Sequence, residues 1–454
     1  MSAYEFLVKN LGMPVAETIK GWPVSKHIRE LDKSQWWSLE QLRDIQNEKL
    51  RKMIRHAYET VPYYHELLDA RGLTPDDLKS IEDLPKLPIL TKDAIRAGFP
   101  DKMRSSAYDP SHLIVGKSSG STGEPLKYYL TSEEKAFKWA CLYRMWRWAG
   151  YDFGRRYVNF TVIAQIAFRG VPLMDKIERS ATRALILQAK DMNAGNVGDF
   201  ARRIQGFHPV LIKGHPSTCY YMARYMADHD MRFTGINATI CNGETLVPAV
   251  RELIEDRFGC GVWDTYGSEG VETASQCSPR SMHHVSAEAV ITEIVDAQGN
   301  PVPLGTEGRL IVTSLDKWAM PFIRYDTQDV ASMTDKRCEC GRGLPLLASV
   351  KGRMVDMGLS PSGKLLSVYA FTPLFATTPG IDAWQVVQES PGELSVKIVP
   401  ASSFDAATVG VVERSVRDYA GEDVDVRVSL VDEIPLTPSG KRRFFISQCP
   451  YGVS

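Results

Sequence analysis

The stretch Ser118–Lys127, SSGSTGEPLK, fills its first six positions with four hydroxyl residues and two glycines. Glycine lets a backbone take φ > 0 and approach an anion closely, while Ser and Thr add donors beside the main-chain N–H groups that cradle phosphate oxygens. The same composition also suits a flexible linker, so the loop must be weighed with the rest of the chain. It is not an ordinary P-loop. Gly116 and Gly120 are spaced too closely for G-x-x-x-x-G-K-S/T, and Gly123 is followed by Glu124 instead of lysine. A triphosphate grip built on this loop needs its lysine from elsewhere in the chain.

The chain has 454 residues, which suggests two or more domains. With 44% hydrophobic and 24% charged residues it reads as a soluble globular protein. Lys plus Arg number 54 against 55 for Asp plus Glu, so no global field favours nucleic acid or an anionic membrane. A small neutral or anionic substrate fits better. The N-terminal run MSAYEFLVKNLGMPVAETIK breaks its apolar residues with charges and lacks a signal-peptide layout. Nowhere do about 18 apolar residues follow one another, and the expected compartment is the cytosol.

Eight cysteines are scattered over this length without a paired framework. The exception is Cys338-Glu339-Cys340-Gly341, a tight pair on a glycine-flanked turn. Cys277, with His283 and His284 soon after it, offers the other half of a closed tetrahedral Cys₃His zinc site. Spacing alone leaves open which histidine is used, and also leaves open unrelated buried thiols.

Helical periodicity marks the first hundred residues, with a capping-box start at Ser38 to Gln41 and breaks at Pro62, Pro85 and Pro88. From Gly116 to about Leu315, short apolar runs such as Tyr157 to Ile163, Val210 to Lys213 and Ala238 to Cys241 alternate with longer helical patterns, among them Ser217 to Asp228. That alternation predicts βαβ units and a mostly parallel sheet. Between Val290 and Met333, turns at Gln298–Pro301 and Gly305 predict an antiparallel section. Beyond Asp356 the text reads β-β-α-β: DAWQVVQE and ELSVKIVP joined through Ser390-Pro391-Gly392, a helix to Tyr419, then DVDVRVSLV. The expected architecture is α/β, with a large domain over 1–355 and a small α+β domain over 356–454. The large domain holds mixed, mostly parallel sheets plus the antiparallel section, and Lys351–Asp356 is the hinge.

Three further stretches carry chemistry. Thr265-Tyr266-Gly267-Ser268-Glu269-Gly270 sets an aromatic for stacking and a carboxylate for Mg²⁺ at a strand end, where α/β sheets bind ligands. Arg324-Tyr325-Asp326-Thr327-Gln328-Asp329 supplies carboxylates able to accept both hydroxyls of a ribose. Pro435-Leu436-Thr437-Pro438-Ser439-Gly440-Lys441 presents a lysine on a rigid turn. The aromatics Trp139, Tyr143, Trp146 and Trp148 recur at helical spacing and are expected mostly in a core.

In this order the set resembles the adenylate-forming superfamily of acyl-CoA synthetases, peptide-synthetase adenylation domains and luciferases. The likeness runs from about residue 40 to the end. Ser118, Ser119, Gly120, Ser121, Thr122 and Gly123 match the family's phosphate loop. Cys241-Asn242-Gly243-Glu244-Thr245-Leu246 is similar to its adenine-side motif G-G/A-E-P-L, and Tyr266, Gly267, Ser268 and Glu269 to its Y-G-x-S/T-E. Asp329 falls on the ribose aspartate, Arg353 on the arginine after the hinge glycine, and Lys441 on the P-x-G-K lysine. Gly214-His215-Pro216-Ser217, GRMVDMGLSPSGKLLS and the cysteine-rich insert at about 277–340 point to one branch, phenylacetate-CoA ligase and the CapK-like proteins. Three features depart from the pattern. YGSEG is one residue short, which makes Glu272 a reserve for Glu269; Asn242 and Thr245 replace a small residue and proline; and Lys127 stands two positions after Pro125.

The resemblance implies ATP-dependent activation of a small, aryl or arylacetic, carboxylic acid as acyl-adenylate with release of pyrophosphate, then transfer to CoA. An amine or a carrier-protein thiol is the alternative acceptor, and a non-catalytic nucleotide-binding regulator is the alternative from another class. It implies Lys441 as the lysine at the α-phosphate, Thr122 and Glu269 near Mg²⁺, and a zinc knuckle of Cys277, His284, Cys338 and Cys340. His215 and the run Phe160 to Phe168 are implied at the acid pocket and Asp356 as the pivot of a mobile C-terminal domain. No nucleic-acid or membrane partner is expected, and a homodimer is allowed for.

Overall fold

The computed structural model describes residues 2–117, 126–161, 183–189, 192, 196–268, 271–353, 357–361, 365–367, 371, 374–375, 378–435 and 443–449. Two compact units arise, each from two separate stretches of chain: Met1–Arg155 with Trp263–Lys351, and Arg156–Val262 with Gly352–Ser454.

In the first unit the helix Leu39–Thr60 opens as the S-x-x-Q signature predicts: Ser38 Oγ accepts from Gln41 N at 3.2 Å and Gln41 Oε1 accepts from Ser38 N at 2.9 Å. Leu42, Gln46, Leu50, Met53, Ile54 and Ala57 form its buried face, at the three- and four-residue steps that put side chains on one side of a helix. It ends at Val61, held extended ahead of Pro62, which opens the next helix Pro62–Ala70. Strands Ile114–Lys117 and Lys127–Leu130 pair antiparallel with Lys117 opposite Lys127. Ser118 to Gly123 themselves lie outside the described residues. Gly116 sits across from Tyr128, where a Cβ would meet the ring at 2.2 Å, so only glycine fits.

Seven strands of this unit lie side by side in the order Val290–Val295, Gly308–Ser314, Tyr325–Thr334, Leu346–Arg353, His283–Val285, Val271–Gln276, Gly261–Ser268. The antiparallel section expected from Val290 to Met333 is there, and antiparallel pairing already begins at Thr265. The connections between the strands Gly261–Ser268, Val271–Gln276 and His283–Val285 are too short for the crossover that parallel neighbours need, so these three pair antiparallel. Behind the sheet, Arg144 on the helix Ser132–Trp148 is fully buried. It binds the Glu288 carboxylate at 2.7 and 3.1 Å, while Ser34 Oγ donates to the same carboxylate at 2.5 Å and Leu31 O accepts from Arg144 at 3.3 Å. A buried ion pair needs such added hydrogen bonds to offset its desolvation. Here it ties two helices to the segment just after His284.

In the second unit Tyr157–Thr161 pairs in parallel with Ala184–Gln188 on one side and Leu211–Gly214 on the other, and Leu211–Gly214 pairs in parallel with Ala238–Asn242. Helices Val197–Phe207, Pro216–Asp228 and Pro248–Phe258 follow these strands, as the alternation predicts. The C-terminal stretch forms the β-β-α-β pattern read from sequence: Ile381–Ser390 and Glu393–Pro400 as an antiparallel hairpin, the helix Ala407–Ala420, and Asp425–Leu430 parallel to Glu393–Pro400. A fourth strand, Phe445–Ser447, pairs with Val386–Gln388. Phe160, Ile212, Met222 and Cys241 share one core cluster with Phe371, Trp384, Val396 and Phe445. Phe375 stacks on Trp384 at 4.3 Å, and Tyr220 meets Phe444 edge-on at 6.3 Å. Phe160 is thus a core residue; 162–168 lie outside the described residues. No helix among the described residues is long and apolar enough to cross a membrane.

Candidate functional site

Tyr266 lies near the end of the strand Gly261–Ser268 and donates its hydroxyl proton to Asp329 Oδ2 at 2.5 Å. The aspartate reaches that position through a bulge. Arg309 pairs with Val330 and Ile311 with Asp326, leaving Thr327, Gln328 and Asp329 opposite Leu310 alone. Within the bulge Gln328 takes φ +65°, its N–H donates to Asp326 Oδ1 at 2.8 Å, and Thr327 Oγ1 accepts from Asp329 N at 3.2 Å while donating to Leu310 O at 2.8 Å. Arg309 takes the other Asp326 oxygen at 3.2 Å. The two carboxylates of this motif therefore divide their work: Asp326 closes the turn, and Asp329 faces the tyrosine.

In the second unit Gly243 takes φ +79° directly after the strand Ala238–Asn242. The chain then turns so that the Glu244 carboxylate accepts from Ser217 N at 2.8 Å and Ser217 Oγ at 2.9 Å. An anion there is favoured by the unsatisfied N–H groups at the start of the helix Pro216–Asp228. His215, the residue before that helix, shares a hydrogen bond of 2.7 Å through Nδ1 with Asn242 O. Both residues sit at the carboxyl ends of adjacent parallel strands, the usual ligand edge of an α/β sheet. Thr245 is half-buried, Gly267 is exposed, and Arg353 ends the strand Leu346–Arg353. Glu269, Asp356 and Lys441 lie outside the described residues.

The cysteine motif assembles fully. The ligand atoms of Cys277, His284, Cys338 and Cys340 all lie within 4.8 Å of one another, with Cys277 Sγ 3.5 Å from Cys338 Sγ and Cys340 Sγ 3.3 Å from His284 Nε2. A tetrahedron with metal–sulfur bonds of ~2.3 Å has edges of ~3.8 Å, so this donor set fits zinc. His283 points elsewhere, with Nε2 3.2 Å from Asp264 Oδ2, which settles which histidine joins the cluster. Burial, helped by the Arg342 and Arg144 charges, lowers the His284 pKa to about 4, so the imidazole is neutral and able to ligate. Burial also pushes the Cys277 thiol up to about 12, with Cys338 and Cys340 adding to the rise. For Cys340 burial works the same way, but hydrogen bonds from Arg342 prevail and hold the thiol below its ordinary value.

Residues around this cluster escape the sequence motif. The Arg342 guanidinium lies over Trp36 at 5.0 Å and Trp148 at 4.7 Å, and Trp148 meets His284 edge-on at 5.6 Å. Gln35 Oε1 accepts from both Arg342 Nε at 2.8 Å and Trp148 Nε1 at 3.0 Å. Gly341 takes φ +77°, and at Gly343 a Cβ would stand 1.8 Å from the Trp37 carbonyl oxygen. Trp148 thus leaves the aromatic stripe to serve this cluster, while Trp146 is core as expected.

Over 333 residues the chain is 31% identical to the phenylacetate-coenzyme A ligase of Aromatoleum evansii, an alignment covering 70% of this chain and 72% of that one. The chain belongs to the phenylacetate-coenzyme A ligase family. As a phenylacetate-coenzyme A ligase family member it is an AMP-forming acid–thiol ligase that activates a carboxylic acid with ATP and transfers it to CoA. The enzyme of that name from Thermus thermophilus is 26% identical over 433 residues, with 89% of this chain and 96% of that one aligned. The family described as the CapK C-terminal domain matches residues 359–448. In fold, a 2-hydroxyisobutyryl-CoA ligase solved in its post-adenylation state in complex with R3-HIB-AMP superimposes with a TM-score of 0.73 over 91% of both chains, at 22% identity.

Proposed function

We propose that the acid activated by this ligase is a small aryl or arylacetic acid, and that phenylacetate is the first to test. The named activities of the phenylacetate-coenzyme A ligases it resembles support that substrate class. In this reading Ser118 to Gly123 grip the β- and γ-phosphates, Thr122 and Glu269 serve Mg²⁺, Tyr266 stacks on adenine, and Asp329 accepts from the ribose. Lys441 bridges the acid's carboxylate and the α-phosphate, where charge develops most in the transition state. Gly243, Glu244 and Thr245 line the adenine side, Arg353 follows the hinge glycine, and the small domain over 356–454 pivots at Asp356 between the two half-reactions. Cys277, His284, Cys338 and Cys340 hold a structural zinc ion. When bound, zinc joins the strand His283–Val285 to the Cys338–Cys340 turn. Eight free thiols suit a reducing cytosol.

The observation that carries the nucleotide part of the reading is the 2.5 Å contact of Tyr266 with Asp329 near a strand end, an aromatic ring and a carboxylate side by side, as suits a nucleoside. Pyrophosphate exchange into ATP, run with a panel of aryl and arylacetic acids and followed by addition of CoA, hydroxylamine or an amine, tests it. Exchange with an arylacetic acid and CoA-dependent turnover are expected. Exchange restricted to aliphatic acids would remove the substrate assignment.

A further inference from the structure

The bulge that carries Asp329 is held from behind by a residue far away in sequence. Leu90 runs beside the strand Tyr325–Thr334 in the same direction: its N–H donates to Arg324 O at 2.8 Å and its carbonyl accepts from Asp326 N at 3.0 Å. Thr91 then caps the helix Lys92–Gly98, with Oγ1 accepting from Ala94 N at 3.2 Å. Together these fix the first helical residue, Lys92, against the bulge. Lys92 is only 8% exposed, an unusual degree of burial for a lysine, and its ammonium donates to Gln328 Oε1 at 3.1 Å.

Gln328 is where a hold is needed. Its φ of +65° lies in the left-handed region, which residues with a Cβ avoid unless the surroundings impose it. Two anchors impose it here. Asp326, itself engaged by Arg309, accepts the Gln328 N–H, and Lys92 takes the side-chain amide oxygen. Without the Lys92 anchor, a return of residue 328 to negative φ would rotate the next peptide and turn the Asp329 carboxylate away from Tyr266. We propose that Lys92 is a positioning residue for nucleotide binding: through Gln328 it holds the left-handed turn that aims Asp329, and so sets the preference of the site for a full ribose. The inference rests on the reading that Asp329 accepts from the ribose hydroxyls.

The test measures acid-dependent pyrophosphate exchange with ATP and with 2′-deoxy-ATP. Lys92→Met is expected to raise the KM for ATP by ~10-fold, the size of one charge-assisted hydrogen bond, with kcat within ~2-fold and a reduced preference for ATP over 2′-deoxy-ATP. Lys92→Arg, which keeps a donor, should retain the preference. Gln328→Ala removes the anchor from its exposed end and should reproduce Lys92→Met even if that variant folds poorly. The double variant Lys92→Met with Gln328→Gly should recover most of the loss, because glycine adopts positive φ unaided. Asp329→Ala separates the two ideas. If it raises the ATP KM and erases the preference while Lys92→Met and Gln328→Ala change neither, Lys92 has no such role. If Asp329→Ala itself changes neither, the ribose assignment falls and the inference falls with it.

Discussion

The cysteine cluster and the Tyr266–Asp329 pair belong to the same unit, yet they are held in opposite ways. Around the cluster several neighbours hold one another: Arg342 lies between two tryptophans, Gln35 accepts from both Arg342 and Trp148, and Gly343 is pressed against a carbonyl. Asp329 stands on a bulge with a left-handed residue beside it, and the bond it shares with Tyr266 can be exchanged for one to a ligand. Over-determined geometry marks a site that serves the fold, whereas an exchangeable hydrogen bond above a strained turn marks one that serves a ligand.

Disturbing the cluster should produce the largest effect. On the reading that the cluster holds zinc, Cys340→Ala or treatment with a chelator is expected to lower the thermal midpoint by ~10 °C or more and bring zinc content near zero. In the protein that stays folded the ATP KM should be unchanged. A rise in KM matching that of Asp329→Ala would mean the two regions are not independent. Next in size, Gly343→Ala forces a Cβ against backbone and should cost ~1–3 kcal/mol in denaturant unfolding, again without altering the KM for ATP. The smallest change is expected from Tyr266→Phe, which keeps the ring and removes the hydroxyl. Stability should fall by ~1 kcal/mol and the ATP KM should move less than ~3-fold, whereas a loss like that of Asp329→Ala would show that the hydroxyl itself contacts the nucleotide.

Sequence alone carried much of this, and its failures have physical causes. The C-x-C pair with Cys277 and the two histidines pointed to the side chains that cluster, because a thiol or an imidazole is recognisable by residue type wherever it sits. Gln35, Trp148 and Arg342 could not be read, since residues so far apart meet only in the folded chain. By residue type alone Asp326 and Asp329 were equal candidates; the resemblance favoured Asp329, and what the sequence did not show is the register that sets three residues, the last of them Asp329, opposite Leu310. The β-β-α-β order near the C-terminus was legible because its strands and helix are locally patterned, and its last strand was not, since Phe445–Ser447 is too short to show alternation. Ser118–Gly123 rests on its motif alone, with the paired strands Ile114–Lys117 and Lys127–Leu130 on either side in sequence.

Neither unit is continuous in the gene product, and this bears on how the protein is made. A growing chain displays Met1–Arg155 long before Trp263–Lys351 arrives to complete the first unit, and Arg156–Val262 must wait for the final stretch to share its core. Cys277 and His284 emerge well ahead of Cys338 and Cys340, so during translation the four-residue cluster exists for a time only as its first half. A stalled or prematurely terminated product ending between Val285 and Cys338 would therefore expose an unpaired sheet edge and the Cys277 thiol together, a combination that quality-control proteases and chaperones act upon.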